Sequence, residues 1–573
     1  MCGILGISGK DESGITKAAE TIRYRGPDMH GSFADEHISL GFNRLAIIDL
    51  DERANQPMWD AEKKTCIVFN GEIYNYRELK KELESTYTFR TTSDTEVILA
   101  GYVTHGPDFI ERLRGMFAYA IYDVEKKKVI LARDHAGIKP LYFFADGETF
   151  AFASEIKALK SLLARPVTLN MDALRLYWAL GYIPSPQTAY TEITALLSSS
   201  YLTYDLATKK CGAPTRYKPD AKPVTSENDL FELIEEKVMS HLVADVPVGL
   251  FFSGGTDSSV IAAALKRRRH PLEAFSIKIA GRNGDEKYFR AISEALGLNT
   301  HVYDFGPKEF VDVYEEVMGK LDIPLADNSI FPTYFVAKKA REKVTVVLSG
   351  EGGDELFFGY PRQQKMLKIR GRLDRTVTIA DRLLTHVPVP GRIAQEYSSR
   401  FEPVSYYIRE MSPARNFLTP EFLAPAKVLV AGVADALYFD RDLYLENDLL
   451  RKTDLATMYN SLEGRVPLLD PDIIASAPNF EKEYNAFVMK PLLKKMLERD
   501  LPHELVYRGK SGFGMDLKVF FAHPAVMNDL QRAFSYFKEH AIPTPVFPDA
   551  NVLLEQYPNA AFAAIALYRA LQH

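Results

Sequence analysis

The chain has 573 residues, 46% of them hydrophobic and 25% charged, with a formal net charge of −6. That length exceeds one hydrophobic core and predicts two to four domains at roughly 150 residues each. The mild acidity gives no electrostatic reason to expect nucleic acid or an anionic membrane as a partner, and no apolar run reaches the ~18 residues of a membrane span.

The chain opens Met1-Cys2-Gly3-Ile4-Leu5-Gly6-Ile7. Removal of Met1 would leave Cys2 with a thiol and a free α-amine, and an α-amine titrates at about 7.7–8.0. Such an amine can activate its own thiol as a nucleophile; the alternative is that Cys2 simply packs as a small hydrophobe. The N-terminus lacks the basic and long apolar regions of a secretory signal. The three cysteines, Cys2, Cys66 and Cys211, are scattered, which fits a reducing cytoplasm.

Up to about residue 208 the pattern is α+β. Runs at 39–42, 65–69, 116–122 and 128–132 have strand length and Gly, Asn or Asp boundaries. Helical spacing covers 75–85 and 94–105, with N-cap candidates in Thr91-Thr92-Ser93-Asp94. Arg44 follows one strand and is either a surface charge or a two-pronged carboxylate clamp. Asn70-Gly71-Glu72 follows another and reads as a turn. It is either a plain hairpin turn or, through the Asn70 amide and the Gly71 N–H, an oxyanion hole. Asp94 is either a helix cap or a site for an ammonium.

Residues 209–226, rich in Pro, Lys and Thr, read as a linker. Beyond them strands at 248–252, 275–279 and 344–348 alternate with helices, which predicts a parallel sheet covered on both faces. Ser253-Gly254-Gly255-Thr256-Asp257-Ser258-Ser259 joins a strand to a helix. It is either a tight turn or an anion site, with close backbone approach, helix N–H groups and hydroxyl donors. Asp257 could hold Mg²⁺ on bound phosphates. The loop is not a Walker A motif, because no Gly-Lys-Ser/Thr follows. Ser349-Gly350-Glu351-Gly352-Gly353-Asp354-Glu355 ends another strand on the same sheet edge, where ligands of open α/β sheets sit. Its three carboxylates are either a solvated acidic turn or a cation site, with Glu351 and Asp354 the functional candidates. Helices dominate 369–479. Lys510 sits in the Gly-rich aromatic segment 507–514, and by itself reads as a surface charge. Residues from 542 on begin Pro-rich, end in an apolar helix, and carry no assigned role.

Together these segments resemble the glutamine-hydrolysing asparagine synthetases, the asparagine synthetase B family, over about residues 2–525. The resemblance rests on Met1-Cys2-Gly3-Ile4, Arg23-Tyr24-Arg25-Gly26-Pro27-Asp28, Phe69 to Asn75, Ser93 to Glu96, the loops at 253–259 and 349–355, the run from Ser461 to Asp470, and the Lys510 segment. It implies a class II glutamine amidotransferase domain over 2–212, an α+β N-terminal-nucleophile (αββα) sandwich. An α/β parallel-sheet ATP-pyrophosphatase-like domain with helical additions follows over 226–541, then a tail over 542–573.

On this resemblance Cys2 attacks the amide of glutamine, and Asn70 and Gly71 hold the oxyanion. Arg44 binds the glutamine α-carboxylate and Asp94 its α-amine, with Glu72 lining the pocket. Ser253, Gly254, Gly255, Asp257 and Ser258 hold the pyrophosphate end of ATP, Phe251, Ile277 and Gly350 contact the nucleoside, and Ser349 lies beside the α-phosphate. Asp257 and Asp354 hold Mg²⁺, Lys510 neutralises phosphate charge, and Glu351 supports an acyl-adenylate of aspartate. No prosthetic group is expected, and the resemblance leaves a homodimer open.

Departures from the family pattern fall at Leu196–Leu202, at Phe358 in place of a usual glycine, at Gly464 in place of a larger residue, and at Ile323 where an acid is common. The last three leave open a carboxylate acceptor other than aspartate, on a sugar, peptide or secondary metabolite. An idle homologue is disfavoured because Cys2, Asp257 and Glu351 are intact, and a simple cyclase because Cys2 is present.

Overall fold

The computed structural model describes residues 2–281, 286–367, 403–433, 438–485, 487–507, 514–521 and 523–573. Two antiparallel sheets face each other in the first part of the chain. The first runs, edge to edge, Ile193–Ala195, Tyr142–Ala145, Phe150–Ala153, Gly3–Ser8, Ile38–Arg44 and Met29–Ala34. The second runs Lys210–Cys211, Ser200–Asp205, Lys128–Arg133, Gly115–Asp123, Thr65–Ile73 and Met58–Trp59.

Strand periodicity explains how the opening segment enters this sandwich. Leu5 and Ile7 point to one face and pack with Ile15, Ala18 and Leu159 of the covering helices Glu12–Thr21 and Ile156–Leu163. Cys2 and Ile4 point to the other face and pack with Val68, Ala118 and Phe152 between the sheets. Burying each such aliphatic side chain contributes about 1.5–3 kcal/mol, so the register that buries Ile4 and Leu5 also fixes where Cys2 sits.

Three local readings change. The 65–69 strand continues through Asn70, Gly71 and Glu72 to Ile73, paired residue for residue with Gly115–Asp123. The Asn-Gly pair is therefore mid-strand, not a turn. The sequence suits this because a side chain on residue 71 would meet the Met116 carbonyl oxygen at 2.1 Å. Arg44 is the last residue of its strand rather than beyond it. The cap of helix Asp94–His105 is Ser93, whose hydroxyl accepts from Thr95 N at 3.2 Å, and Asp94 is the first helical residue.

The 209–226 stretch is partly ordered into the sandwich. Lys210–Cys211 and Thr215–Arg216 both pair with Ser200–Asp205, so the sheet extends past residue 212. Ser226 then caps the helix Glu227–Ser240.

The third sheet is wholly parallel, in the order Asn299–Phe305, Glu273–Ile279, Val248–Phe251, Val346–Leu348, Glu463–Arg465. The three strands expected from the sequence form its centre. The edge strands escaped detection because Asn299–Phe305 is largely polar and Glu463–Arg465 is three residues with two charges. Phe358 takes φ +59°, the left-handed region that favours glycine, and its ring stacks on Tyr484 at 4.1 Å. At Gly464 an added Cβ would find Thr457 at 3.5 Å, an ordinary contact.

The tail is not peripheral. Its helix Pro558–Leu571 is buried along most of its length. Tyr177 donates to the Ala563 carbonyl at 2.8 Å and Trp178 to that of Pro543 at 2.8 Å, tying the tail to helix Met171–Leu180. Among the described residues, no helix is long and apolar enough to cross a membrane.

Candidate active sites

Cys2 lies in the sandwich, 7% exposed, where strand Gly3–Ser8 begins. Its backbone N–H donates to Asn70 Oδ1 at 2.9 Å. Asn70 Nδ2 is buried and has no hydrogen-bond partner among the described residues. A backbone N–H can meet only the acceptor end of the amide, so the donor end is left for another group. Burial pushes the Cys2 thiol up; the positive charge of the N-terminus, a backbone hydrogen bond at Leu45 and the nearby Arg44 guanidinium oppose it.

Arg44 is 4% exposed and both its terminal nitrogens are engaged. Nη1 donates to the Asp51 carbonyl at 2.8 Å, and Nη2 to those of Ile48 (3.3 Å) and Asp49. It therefore pins the 48–51 loop. Asp94 and Glu72 are both buried. Asp94 accepts from Ile73 N at 3.0 Å, and burial pushes its carboxyl up to about 6. Burial, and then the Asp94 carboxylate, push Glu72 well above the usual range. Glu72 Oε2 accepts from Arg465 Nη2 at 3.0 Å, while its Oε1 has no partner among the described residues. Arg465 is also paired with Glu463 at 2.6 Å, so Asp94 and Glu72 make a pocket short of positive charge, suited to an ammonium.

The two Gly-rich loops meet at the carboxyl edge of the parallel sheet. A side chain on Gly350 would meet Asp257 Cβ at 2.8 Å, and one on Gly353 would meet Asp257 Oδ1 at 2.1 Å. Ser253, Gly254, Gly255, Asp257, Ile277 and Asp354 line a cavity of about 620 Å³. An adjoining one of about 220 Å³ is lined by Phe251, Ser258, Ile277, Ser349, Gly350 and Glu351. Ser253 and Ser258 hydroxyls lie 3.3 Å apart at the start of helix Thr256–Arg267. Lys510 lies outside the described residues.

Glu351 Oε1 accepts from Thr453 Oγ1 at 2.9 Å, and its buried Oε2 has no partner among the described residues. Glu355 has a structural role: it accepts from Gly352 N at 3.0 Å and from the Tyr360 hydroxyl, and burial pushes it up to about 8.

The expected metal carboxylates, Asp257 and Asp354, converge on the ammonium of Lys490, which lies 2.8 Å from Asp354 and bonds Asp257 Oδ2. Burial disfavours this charge, but the two carboxylates hold the Lys490 ammonium above the ordinary lysine range. No group of three or more His, Cys, Asp or Glu side chains forms a metal cage among the described residues. Two carboxylates completed by phosphate oxygens suit Mg²⁺, which is usually bound in that way.

Sequence reasoning missed Lys490, Thr453 and the roles of Arg25 and Arg465. Lys490 carries no local signal beyond preceding Pro491. Arg465 had one: a cation in the apolar run 462–469 must be paired when buried. Arg25 is fully buried. Its Nε donates to the Cys2 carbonyl at 3.2 Å, and its terminal nitrogens donate to Glu155 at 2.9 Å and to Asp454 at 2.9 and 3.1 Å. Asp454 follows Thr453, so Arg25 and the 453–454 main chain link the Cys2 carbonyl to Glu351.

Residues 1–217 match the family model described as a glutamine amidotransferase domain, and residues 229–535 match that described as asparagine synthase. The chain is 33% identical to asparagine synthetase [glutamine-hydrolyzing] 1 of Bacillus subtilis, across 90% of this chain and 87% of that protein. It is 34% identical to a putative asparagine synthetase [glutamine-hydrolyzing] of Mycobacterium tuberculosis, across 90% and 88%. To asparagine synthetase B [glutamine-hydrolyzing] of Escherichia coli it is 34% identical, across 63% and 65%. A thiol positioned by Asn70 in one half, two interlocked Gly-rich loops in the other, and matches running the length of both halves lead to one assignment: the chain belongs to the glutamine-hydrolysing asparagine synthetase family.

Proposed function

We propose that this enzyme moves the amide nitrogen of glutamine to the side-chain carboxylate of aspartate at the expense of ATP, giving asparagine, glutamate, AMP and pyrophosphate. The observation that carries the reading is the divided amide of Asn70, with one end on Cys2 and the other a buried donor beside it.

With Met1 removed, the Cys2 nitrogen bonded to Asn70 becomes the amine that takes the thiol proton. The thiolate adds to the glutamine amide carbon. Asn70 Nδ2 and the Gly71 N–H stabilise the oxyanion, ammonia leaves with the proton, and water hydrolyses the glutamyl thioester. Asp94 and Glu72 take the substrate's α-ammonium. Arg44 takes its α-carboxylate, which requires at least one carbonyl of the 48–51 loop to give way.

In the other half, the loop at 253–258 and the start of helix Thr256–Arg267 hold the phosphates of ATP, and Phe251, Ile277 and Gly350 border its nucleoside. Lys490, poised on Asp257 and Asp354, supplies positive charge to the leaving pyrophosphate, as does Lys510. Mg²⁺ held by Asp257 and Asp354 would neutralise phosphate charge. An oxygen of the aspartate β-carboxylate attacks the α-phosphorus and expels pyrophosphate. Ammonia then adds to the acyl carbon and AMP leaves. Glu351, with one oxygen held by Thr453, accepts the proton released by that addition. Passage of ammonia inside the protein keeps it from protonation in bulk water.

The test is pyrophosphate release with aspartate against other carboxylic acids. Aspartate-dependent release with asparagine formed supports the reading; release triggered only by a different acid replaces aspartate as the acceptor.

A further inference from the structure

On the surface, helix Glu12–Thr21, helix Ile156–Leu163 and residues 319–320 after helix Pro307–Met318 border an open cleft of about 540 Å³ that shares no lining residue with the two cavities above. The first two segments belong to the sandwich and the third to the synthetase half. Five cations line it: Lys17, Lys157, Lys160, Arg165 and Lys320; no acidic side chain does, and the one anion carried by a lining residue is the α-carboxylate of His573. This is a concentrated positive site on a chain of net charge −6.

Two of the cations are neutralised: Lys157 by Glu155 at 3.0 Å and Arg165 by Asp146 at 2.5 Å. Among the described residues, Lys17, Lys160 and Lys320 make no ion pair. Lys160 lies 3.0 Å from the Tyr190 hydroxyl and over that ring, and Lys320 lies 3.3 Å from the Tyr459 carbonyl and over the rings of Tyr24, Tyr334 and Tyr459. Burial holds both lysines below their ordinary range; Asp322 opposes this at Lys160 and Glu316 at Lys320, where Lys157 adds to the lowering. The imidazole of His573, also in the lining, is pushed down to about 4 by burial and by Lys157 and Lys160. A second observation is independent of charge: Ser161 Oγ, which lines the cleft, is buried and has no hydrogen-bond partner among the described residues.

Like charges gathered in a partly desolvated cleft repel unless an anion joins them. A single carboxylate supplies one charge, whereas these unpaired cations come from three segments. Lysine point charges and hydroxyl donors suit phosphoryl oxygens.

We propose that this cleft is a binding site for an oligophosphate anion, separate from the nucleotide site and bridging the two halves of the chain. The proposal does not rest on the proposed reaction.

The experiment is calorimetric titration of the full-length protein. With the nucleotide site saturated by α,β-methylene-ATP, inorganic pyrophosphate should bind one further equivalent. The double variant Lys17→Gln/Lys160→Gln should lose it, while keeping wild-type melting temperature and glutaminase activity. Ser161→Ala, which removes only the unpaired hydroxyl, should weaken it. Titration of the ATP analogue alone separates the sources: a second equivalent lost in the double variant makes the bearer of the phosphates a nucleotide. Absence of a second equivalent of either ligand, or its survival unchanged in the double variant, overturns the proposal.

Discussion

Asn70 holds Cys2 by its side-chain oxygen at 2.9 Å and keeps its side-chain nitrogen, buried and unpartnered among the described residues, on the same strand position. One residue thus fixes the backbone of the proposed nucleophile and, on that proposal, offers a donor to charge that develops next to it. Asn70→Ala should lower glutamine hydrolysis by about 10²–10³ in kcat, the usual cost of one oxyanion donor. Synthesis from added ammonia should survive. Glutaminase and ammonia-dependent rates on one preparation check this; equal loss of both would mean that Asn70 serves the fold instead.

Cys2→Ala should abolish glutamine-dependent synthesis and spare ammonia-dependent synthesis, because the thiol lies in the sandwich and Glu351 at the parallel sheet. Loss of both activities in a folded variant would contradict separable sites.

Lys490→Gln removes the ammonium on which Asp257 and Asp354 converge. Pyrophosphate release should fall with glutamine hydrolysis intact. A variant that kept full synthesis would show that Lys490 only neutralises the two acids.

Arg465 is fully buried, bonds Glu72 at 3.0 Å and Glu463 at 2.6 Å, and donates to the carbonyls of His241 and Val243. Breaking a buried pair by removing one partner costs about 3–5 kcal/mol. Arg465→Met should therefore lower stability by an amount of that order in denaturant unfolding, and Arg465→Lys should not restore it, because an ammonium cannot span the same acceptors.

Asp94 supplies a pH test. Its carboxyl is raised to about 6 by burial, so the folded state holds a proton that the unfolded state has released. That contribution to stability is present in full below the unfolded value, about 3.9, and is lost as pH rises through about 6. Asp94→Asn keeps the acceptor for Ile73 N and removes the charge. Above that range the variant should be more stable than wild type, with the advantage vanishing toward pH 4, and its KM for glutamine should rise. Denaturant unfolding at several pH values, together with glutaminase kinetics, reads both.

Much of this architecture was legible because local pattern and global packing agree. The buried central strands at 248–251 and 346–348, the Gly-rich loops and the helix after Ser93 all follow from residue type and spacing. What stayed hidden depends on contacts across the chain. Asn70-Gly71 has the sequence of a hairpin turn, yet the partner strand Gly115–Asp123 keeps it extended. Glu463–Arg465 has no strand signal because its charges are paid for by partners at Glu72, His241 and Val243. Lys490 is far in sequence from Asp257, and only the fold brings them together. The tail carried no motif, and its place emerges from hydrogen bonds to Tyr177 and Trp178.

The central claim is that nitrogen freed at Cys2 ends on aspartate. It is tested most directly with glutamine labelled with ¹⁵N at the side-chain amide, together with ATP, Mg²⁺ and aspartate. The account predicts ¹⁵N in the side-chain amide of asparagine, formed one-for-one with pyrophosphate. Labelled ammonia released to solution with no labelled asparagine and no aspartate-dependent pyrophosphate would contradict it.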